Sequence, residues 1–518
     1  MAYFMAARCT TSFASRKSLT TCLAPIFIDH APSWSELHNK LVTSEDGARL
    51  QLARSNVAIG GGEPSSAANI RLFDKDEADV RVTFYRDAAA WCPYCQKVWL
   101  LLEEKGIPYR VSKLPLNAYG DKPAAFTRRV ASGALPAIEL DGEMHTESLE
   151  ILRLLDETFA AHAPQMVPNP GSSEAQAEAA YLALAQELMR DWFSYVFYPV
   201  EGNDLDRARK VLLGTLKRVD EALGRAPGPW FLGSDHPTLV DLQYISHIER
   251  MLASLIYWRG LKVRGTGSFP SMDAWLAAFE ERPAYLATKS DLYTIVLALP
   301  SQNGPGYFST DDDDADALAA RSVGLDGAWQ VPVGTAALVE PLAPAHAAGG
   351  DAAAKLAAAE ALVANHEAVV RFACRGAADP GSPSYHAELA DPNCEPNEAF
   401  VTAVDVSLRH VTAALIEGTG ATEVSAAAES DLAGAVGTDA ELAEGWEEYE
   451  DRRGRTYWWY DATGESTYTR PTRNVDACLA YLRDRIGVPR DLGPAAAMQL
   501  RAHLNWAIGL LVRPAAPC

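Results

Sequence analysis

The chain reads as an α/β domain followed by an all-helical domain, with a helical extension behind them that carries a small β-module. Three observations predict this. Strand-period and helix-period segments alternate between Val80 and Phe159, and from Ser172 to Leu299 the apolar residues keep helical spacing. After an acidic stretch with Gly and Pro, helical spacing returns near Ala347, broken by one aromatic, turn-rich insert. A length of 518 residues exceeds one ordinary core.

Taken in order, residues 1–35 hold no acid before Asp29 but contain Arg8, Arg16 and Lys17 among Ser, Thr and Ala. That is the composition of an organelle transit peptide, chloroplast ahead of mitochondrion because of its hydroxyl content. A terminus without fixed structure, on a cytoplasmic protein, has the same composition. Residues 36–78 read as a linker with a break at Gly60-Gly61-Gly62. Within 79–160, "VRVTFYR" alternates as a strand, and "QKVWLLLEEKGI" is a helix closed by Gly106. "YRVSKL" is a second strand, "DKPAAFTRRVASG" a short helix, "LPAIELDGEMHTES" a hairpin turning at Asp141-Gly142, and "SLEILRLLDETF" a helix. The order β-α-β-α-β-β-α is that of a thioredoxin-like domain.

Residues 170–300 form the helical domain, and 301–345 read as an acidic linker. Its run Asp311 to Asp314 is solvated, because adjacent carboxylates repel. Residues 346–420 and 474–512 form the extension, with the β-module at 440–473. A net charge of −22 and a pI near 5.0 argue against a nucleic-acid footprint and against anionic membrane surfaces. No uninterrupted run of about eighteen apolar residues occurs, so no membrane span is expected. Eight cysteines in this length are too few for a disulfide scaffold.

The chemistry is carried by Trp91-Cys92-Pro93-Tyr94-Cys95, directly after a strand and opening a helix. At a helix N-terminus, unpaired backbone N–H groups and the macrodipole favour a thiolate, and such thiols reach pKa values of roughly 3.5 to 7.5. Cys92 is therefore the candidate nucleophile. Cys95, one turn on, is placed to attack a mixed disulfide on Cys92. A zinc site needs two further ligands, usually a second close pair, and none follows, so no metal is expected. Cys374, Cys394 and Cys478 read as small residues of helices and loops.

"CPYC" is the active-site tetrapeptide of glutaredoxins, and the longer stretch resembles the cysteine-type glutathione transferases: the omega and dehydroascorbate-reductase classes and the related chloride intracellular channel proteins. "SGALPAIELDG" is similar to the family segment with a cis-proline beside the cysteine, here Pro136. The residue before it, Leu135, then pairs with glutathione through its backbone. "ESLEI" is similar to the pair holding the γ-glutamyl end, here Glu147 and Ser148, and Lys122 matches a lysine that pairs with the glycyl carboxylate. "WFLGSDHPTLVDLQYISHIERM" resembles the transferase C-terminal domain, where Thr238 and Asp241 form an N-capping pair. The resemblance covers roughly Val80 to Pro300, and the extension is similar to one in plant and algal chloroplast relatives.

The insert "GWEEYEDRRGRTYWWYDATGESTYTRP" resembles a WW domain. Trp446, Trp458 and Pro471 would form its miniature core, and Tyr457, Trp459 and Tyr468 the groove for a proline. Tyr468 stands where a second Trp is usual, Tyr460 where a structural Asn is usual, and Asp461 replaces a common His.

These resemblances imply a glutathione-dependent thiol oxidoreductase, dehydroascorbate reductase-like, with glutathione as cosubstrate and a small electrophile or disulfide as the other substrate. The alternative is a non-catalytic thioredoxin-fold adaptor that recruits proline-rich partners through the WW module. A membrane-inserting, channel-like form has only family analogy behind it.

Overall fold

The computed structural model describes residues 29–309, 313–333, 350–378, 393–432, 446–450, 456–460, 465–467 and 474–512. Most of the expected transit peptide lies outside the described residues, as do Tyr468 and Pro471.

The stretch 36–78 corrects the sequence reading. It is not a linker: it holds α1 (Trp34–Thr43), α2 (Glu45–Ala58) and a short strand, β1 (Ile70–Arg71). Ser33 caps α1 through a capping box with Glu36, and Ser44 caps α2 at the Gly47 N–H. The buried residues of α1 are Leu37 and Leu41, two leucines one turn apart, which is too sparse a pattern to announce a core helix. Their partners lie more than three hundred residues further on. Residues 29–35 are likewise anchored: Arg409 donates to an Asp29 carboxylate oxygen at 2.7 Å and His30 Nδ1 meets Asp431 at 2.6 Å.

Five strands build the α/β domain in the order β1-β3-β2-β4-β5, the others being β2 (Val82–Asp87), β3 (Tyr109–Leu114), β4 (Ala137–Leu140) and β5 (Glu143–His145). Strands β2 and β3 run parallel, from Val82 beside Tyr109 to Asp87 beside Leu114. A parallel pair needs a crossover, and α3 (Pro93–Glu104) supplies it. The expected thioredoxin-like order appears, with β1 added antiparallel to β3. The Asp141-Gly142 turn has φ of 51° and 91°, as an Asp-Gly hairpin requires. Two helices, α4 (Ala124–Thr127) and α5 (Ser148–Thr158), complete the domain.

The helical domain comprises α6 (Ser173–Val196), α7 (Gly202–Leu223), α8 (Leu239–Arg259), α9 (Pro270–Glu280), α10 (Pro283–Thr288) and α11 (Leu292–Asn303). At its centre lies α8, buried along most of its length. The expected capping pair starts it: Thr238 N and Oγ1 each donate to Asp241 at 2.8 Å. The other oxygen of Asp241 accepts from the Phe231 N–H and Trp275 Nε1. The expected acidic linker 301–345 is also partly folded. Within it α12 (Asp313–Ser322) lies against the end of α8, with Ala315 and Ala319 buried. A Cβ on Gly260 would sit 2.3 Å from the Ala315 Cβ, so only glycine admits this contact. The acids of the run hid the alanine face.

In the extension, α13 (Gly350–Ala373), α14 (Val401–Glu417), α15 (Thr422–Leu432), α16 (Val475–Asp484) and α17 (Pro494–Leu511) enclose a second core that includes Leu37 and Leu41. The stretch Glu398–Glu417 has the length and apolar composition of a membrane span, but 72% of that window is buried in this core. The β-module is a three-stranded antiparallel sheet of β6 (Trp446–Glu450), β7 (Thr456–Tyr460) and β8 (Glu465–Thr467). Its register pairs Trp446 with Tyr460 and Glu448 with Trp458, which places both tryptophans on one face, with Tyr457 and Trp459 at positions of the other.

The extension docks on the helical domain through polar contacts. Val488 O accepts from Ser290 Oγ at 2.5 Å, Asp484 O from Tyr293 OH at 2.8 Å, and Trp329 O from Asn505 at 2.9 Å. Arg501, fully buried, pairs with Asp291 at 2.6 Å, donates to Ile486 O, and lies over the rings of Tyr293 and Trp329. Replacing Arg501 with Met leaves the buried Asp291 carboxylate without its cation, a loss expected to cost about 3–5 kcal/mol. Urea unfolding of the full chain reads it, and an unchanged midpoint would show that the pair holds nothing together.

Candidate active site

The site is built where β2 ends and α3 begins. Asp87, the last residue of β2, is buried and turns one carboxylate oxygen back on the loop. That oxygen accepts from the Trp91 N–H at 2.8 Å and the Cys92 N–H at 3.2 Å, which fixes the approach to the helix. Cys92 is the N-cap of α3, and Pro93 follows at the first helical position, where a missing N–H costs nothing. Both cysteines are almost wholly buried, and a carboxylate oxygen of Asp87 and the two sulfurs lie within 4.8 Å of one another. Burial, and then the neighbouring Cys92, push the Cys95 thiol well above the ordinary thiol range.

Leu135 and Pro136 immediately precede β4, and the antiparallel pairing of Tyr85 with Ala137 brings them to the end of β2 from which the Cys92 loop departs. The peptide between them is cis. Pro136 is buried and Leu135 half-buried. Glu147 is exposed directly before α5, with φ of 64°, a left-handed conformation that is strained for a glutamate. Ser148 is the first residue of that helix. Lys122 is half-buried; burial lowers its pKa, while the charges of Cys92 and Cys95 pull it the other way. The cysteines, Lys122, Leu135 and Pro136 therefore gather around one helix end, with Glu147 and Ser148 at the next. The proline-binding candidates belong to the separate sheet of the extension: Tyr457 and Trp459 lie in β7, and Tyr468 lies outside the described residues.

Five residues of this site went unread in the sequence. Asp87 is one. Lys97, on the buried face of α3, donates to Gln243 Oε1 on α8 at 2.5 Å and lies 5.0 Å from the Tyr94 ring centroid. His247, one turn beyond Gln243, packs edge-on to Tyr94, and burial with the nearby Lys97 charge lowers its pKa to about 3. Arg250 donates to Trp91 O, and to the Gln96 side chain at 2.6 Å. A lysine inside "QKVWLLL" was the one visible signal. Gln243, His247 and Arg250 stand about 150 residues away, where no spacing rule reaches.

Two family models match the chain. Glutathione S-transferase, N-terminal domain, covers residues 91–158, and Glutathione S-transferase, C-terminal domain, covers 203–278. Glutathione S-transferase L3 of Arabidopsis thaliana is 30% identical over 209 residues, 40% of this chain and 81% of the relative. The chain belongs to the glutathione S-transferase family. Two further relatives from the same plant fit this membership. Glutathione S-transferase L2, chloroplastic, is 27% identical over 40% of this chain and 65% of its own length. Glutathione S-transferase DHAR2 is 24% identical over 42% of this chain and 92% of its own length. More than half of this transferase lies beyond each alignment.

Proposed function

We propose that the protein is a glutathione-dependent thiol oxidoreductase in which Cys92 is the nucleophile and dehydroascorbate or a glutathionylated thiol is the electron acceptor. The observation that carries the reading is the Cys92 sulfur at the N-cap of α3, beside a second thiol, in a chain of the transferase family. With a glutathionylated substrate, the Cys92 thiolate attacks the glutathione sulfur, the substrate leaves as a thiolate, and Cys92 carries a mixed disulfide. A second glutathione thiolate attacks that disulfide, releasing glutathione disulfide and restoring Cys92. One free glutathione is consumed in the cycle: its sulfur takes the substrate's place in the disulfide, and the substrate sulfur leaves reduced to the thiol. Cys95 is a poor resolving thiol, because burial holds its proton on, so the second glutathione takes that role. Leu135 would pair with glutathione by its backbone next to Pro136, Glu147 and Ser148 would hold the γ-glutamyl end, and Lys122 the glycyl carboxylate. A carboxylate suits the start of α5, and an ammonium suits Glu147.

A second reading concerns the sheet of the extension, which we take as a WW module that docks proline-rich segments through Tyr457, Trp459 and Tyr468. Three antiparallel strands with two tryptophans on one face support it. The acid-free start is taken as a plastid-targeting segment; the anchoring of Asp29 and His30 puts its removal ahead of Asp29, a shorter segment than residues 1–35.

The expected outcomes are as follows. Cys92→Ser abolishes glutathione-dependent reduction, whereas Cys95→Ser retains most of it; full activity in the first variant ends the reading, and equal loss in both makes the dithiol route obligatory. Mass spectrometry of protein from its native source finds an N-terminus beyond Ala2 and no later than Asp29, and an intact Met1 or Ala2 counts against targeting. Tyr468→Ala in the full chain abolishes binding of proline-rich peptides by calorimetry and leaves glutathione turnover unchanged. Absence of binding by the unaltered chain sinks the adaptor reading.

A further inference from the structure

The thiols of this site sit beside a negative charge. A carboxylate oxygen of Asp87 lies within 4.8 Å of both sulfurs, and like charges so close disfavour a thiolate. Burial disfavours it too, since Cys92 is 6% exposed. The helix N-terminus acts in the opposite direction, but with only partial charge. A full positive charge nearby offsets both effects.

Lys97 is placed for it. Its side chain is 2% exposed, and it donates a hydrogen bond to Gln243 Oε1, a neutral acceptor that brings no charge of its own. Glu147 favours its charge, and so do the Cys92 and Cys95 sulfurs in their ionised forms. The other charged or titratable groups around it are otherwise engaged. Arg250 on α8 is spent on Trp91 O, Gln96 and Ser246 O. His247 is kept neutral, Tyr94 offers its ring face, and Lys122 stands half-buried. We propose that Lys97 is the buried counter-ion of the Cys92 thiolate and that Gln243, from the helical domain, holds it in place. This positioning role rests on Cys92 being the nucleophile, and it makes the acidity of that thiol a property of how the two domains meet. Burial lowers the Lys97 pKa to about 8, so its charge is present below that pH and lost above it. The advantage it confers is therefore confined to the acidic side of about pH 8.

The test is the rate of iodoacetamide labelling at Cys92 as a function of pH, read by peptide mass spectrometry on the full chain. Lys97→Met is expected to move the midpoint up by about one pH unit, the low end of the effect of a close opposite charge. Lys97→Arg restores most of that shift, and Gln243→Leu produces a smaller one in the same direction. The unaltered and Lys97→Met profiles converge above about pH 8, where Lys97 itself becomes neutral. A midpoint that stays put in folded Lys97→Met overturns the proposal. If that variant does not fold, Gln243→Leu decides: an unmoved midpoint there overturns it equally. The readout needs no turnover, so a chain that labels as expected but reduces no disulfide refutes the proposed function alone.

Discussion

Gln96 is the joint from which α3 hangs. Its amide nitrogen donates to Glu249 at 3.0 Å while its oxygen accepts from Arg250 at 2.6 Å, and all three side chains are buried. Arg250 goes on to Trp91 O, one residue before Cys92, and the far oxygen of Glu249 accepts from the Ser290 N–H at 2.7 Å. Buried charges are costly unless every donor and acceptor finds a partner, and here one neutral amide serves both signs. Because Gln96 sits on the turn that carries Cys95, the start of α3 is referenced to α8 as firmly as to its own sheet.

That same joint reaches the extension. Ser290, which Glu249 holds by its N–H, gives its hydroxyl to Val488 O in the loop between α16 and α17. Next to it Thr294 Oγ1 accepts from the Val488 N–H at 3.1 Å. A chain of contacts a few residues long thus links the thiol loop to a region beyond the stretches that the two family models match. The Asp241 cap, with four donors on one buried carboxylate, stiffens the other end of α8.

What was legible in the sequence was whatever is written in local order. The strand–Cys–helix succession, the Asp141-Gly142 turn, Gly106 after α3 and the Thr238–Asp241 cap each lie within a few residues, and each appears where local chemistry puts it. The helices at 34–58 and 313–322 escaped because their apolar faces are two leucines in one case and two alanines in the other, and such faces acquire meaning only against distant partners. Lys97 illustrates the same limit at the site. Its place in α3 was plain from the helical pattern, but its company of Gln243 and His247 depends on how α8 crosses α3. A resemblance to known transferases reached the thiols and the rim of the site, and stopped at the residues beneath them.

The extension is assembled from both ends of the chain, and this has a consequence for the order in which the molecule is made. Helices α1 and α2 leave the ribosome long before α16 and α17, yet the core that covers Leu37 and Leu41 is completed by those later helices. At about 5–20 residues per second, translation leaves a gap of tens of seconds between the two. The α/β and helical domains lie wholly within that interval and are able to fold during it. The two leucines of α1 stay without that cover until α17 emerges. Long-range closure of this kind is slow. Truncation ahead of α16 therefore strips shelter from Leu37 and Leu41, and α1 waits on helices made long after it.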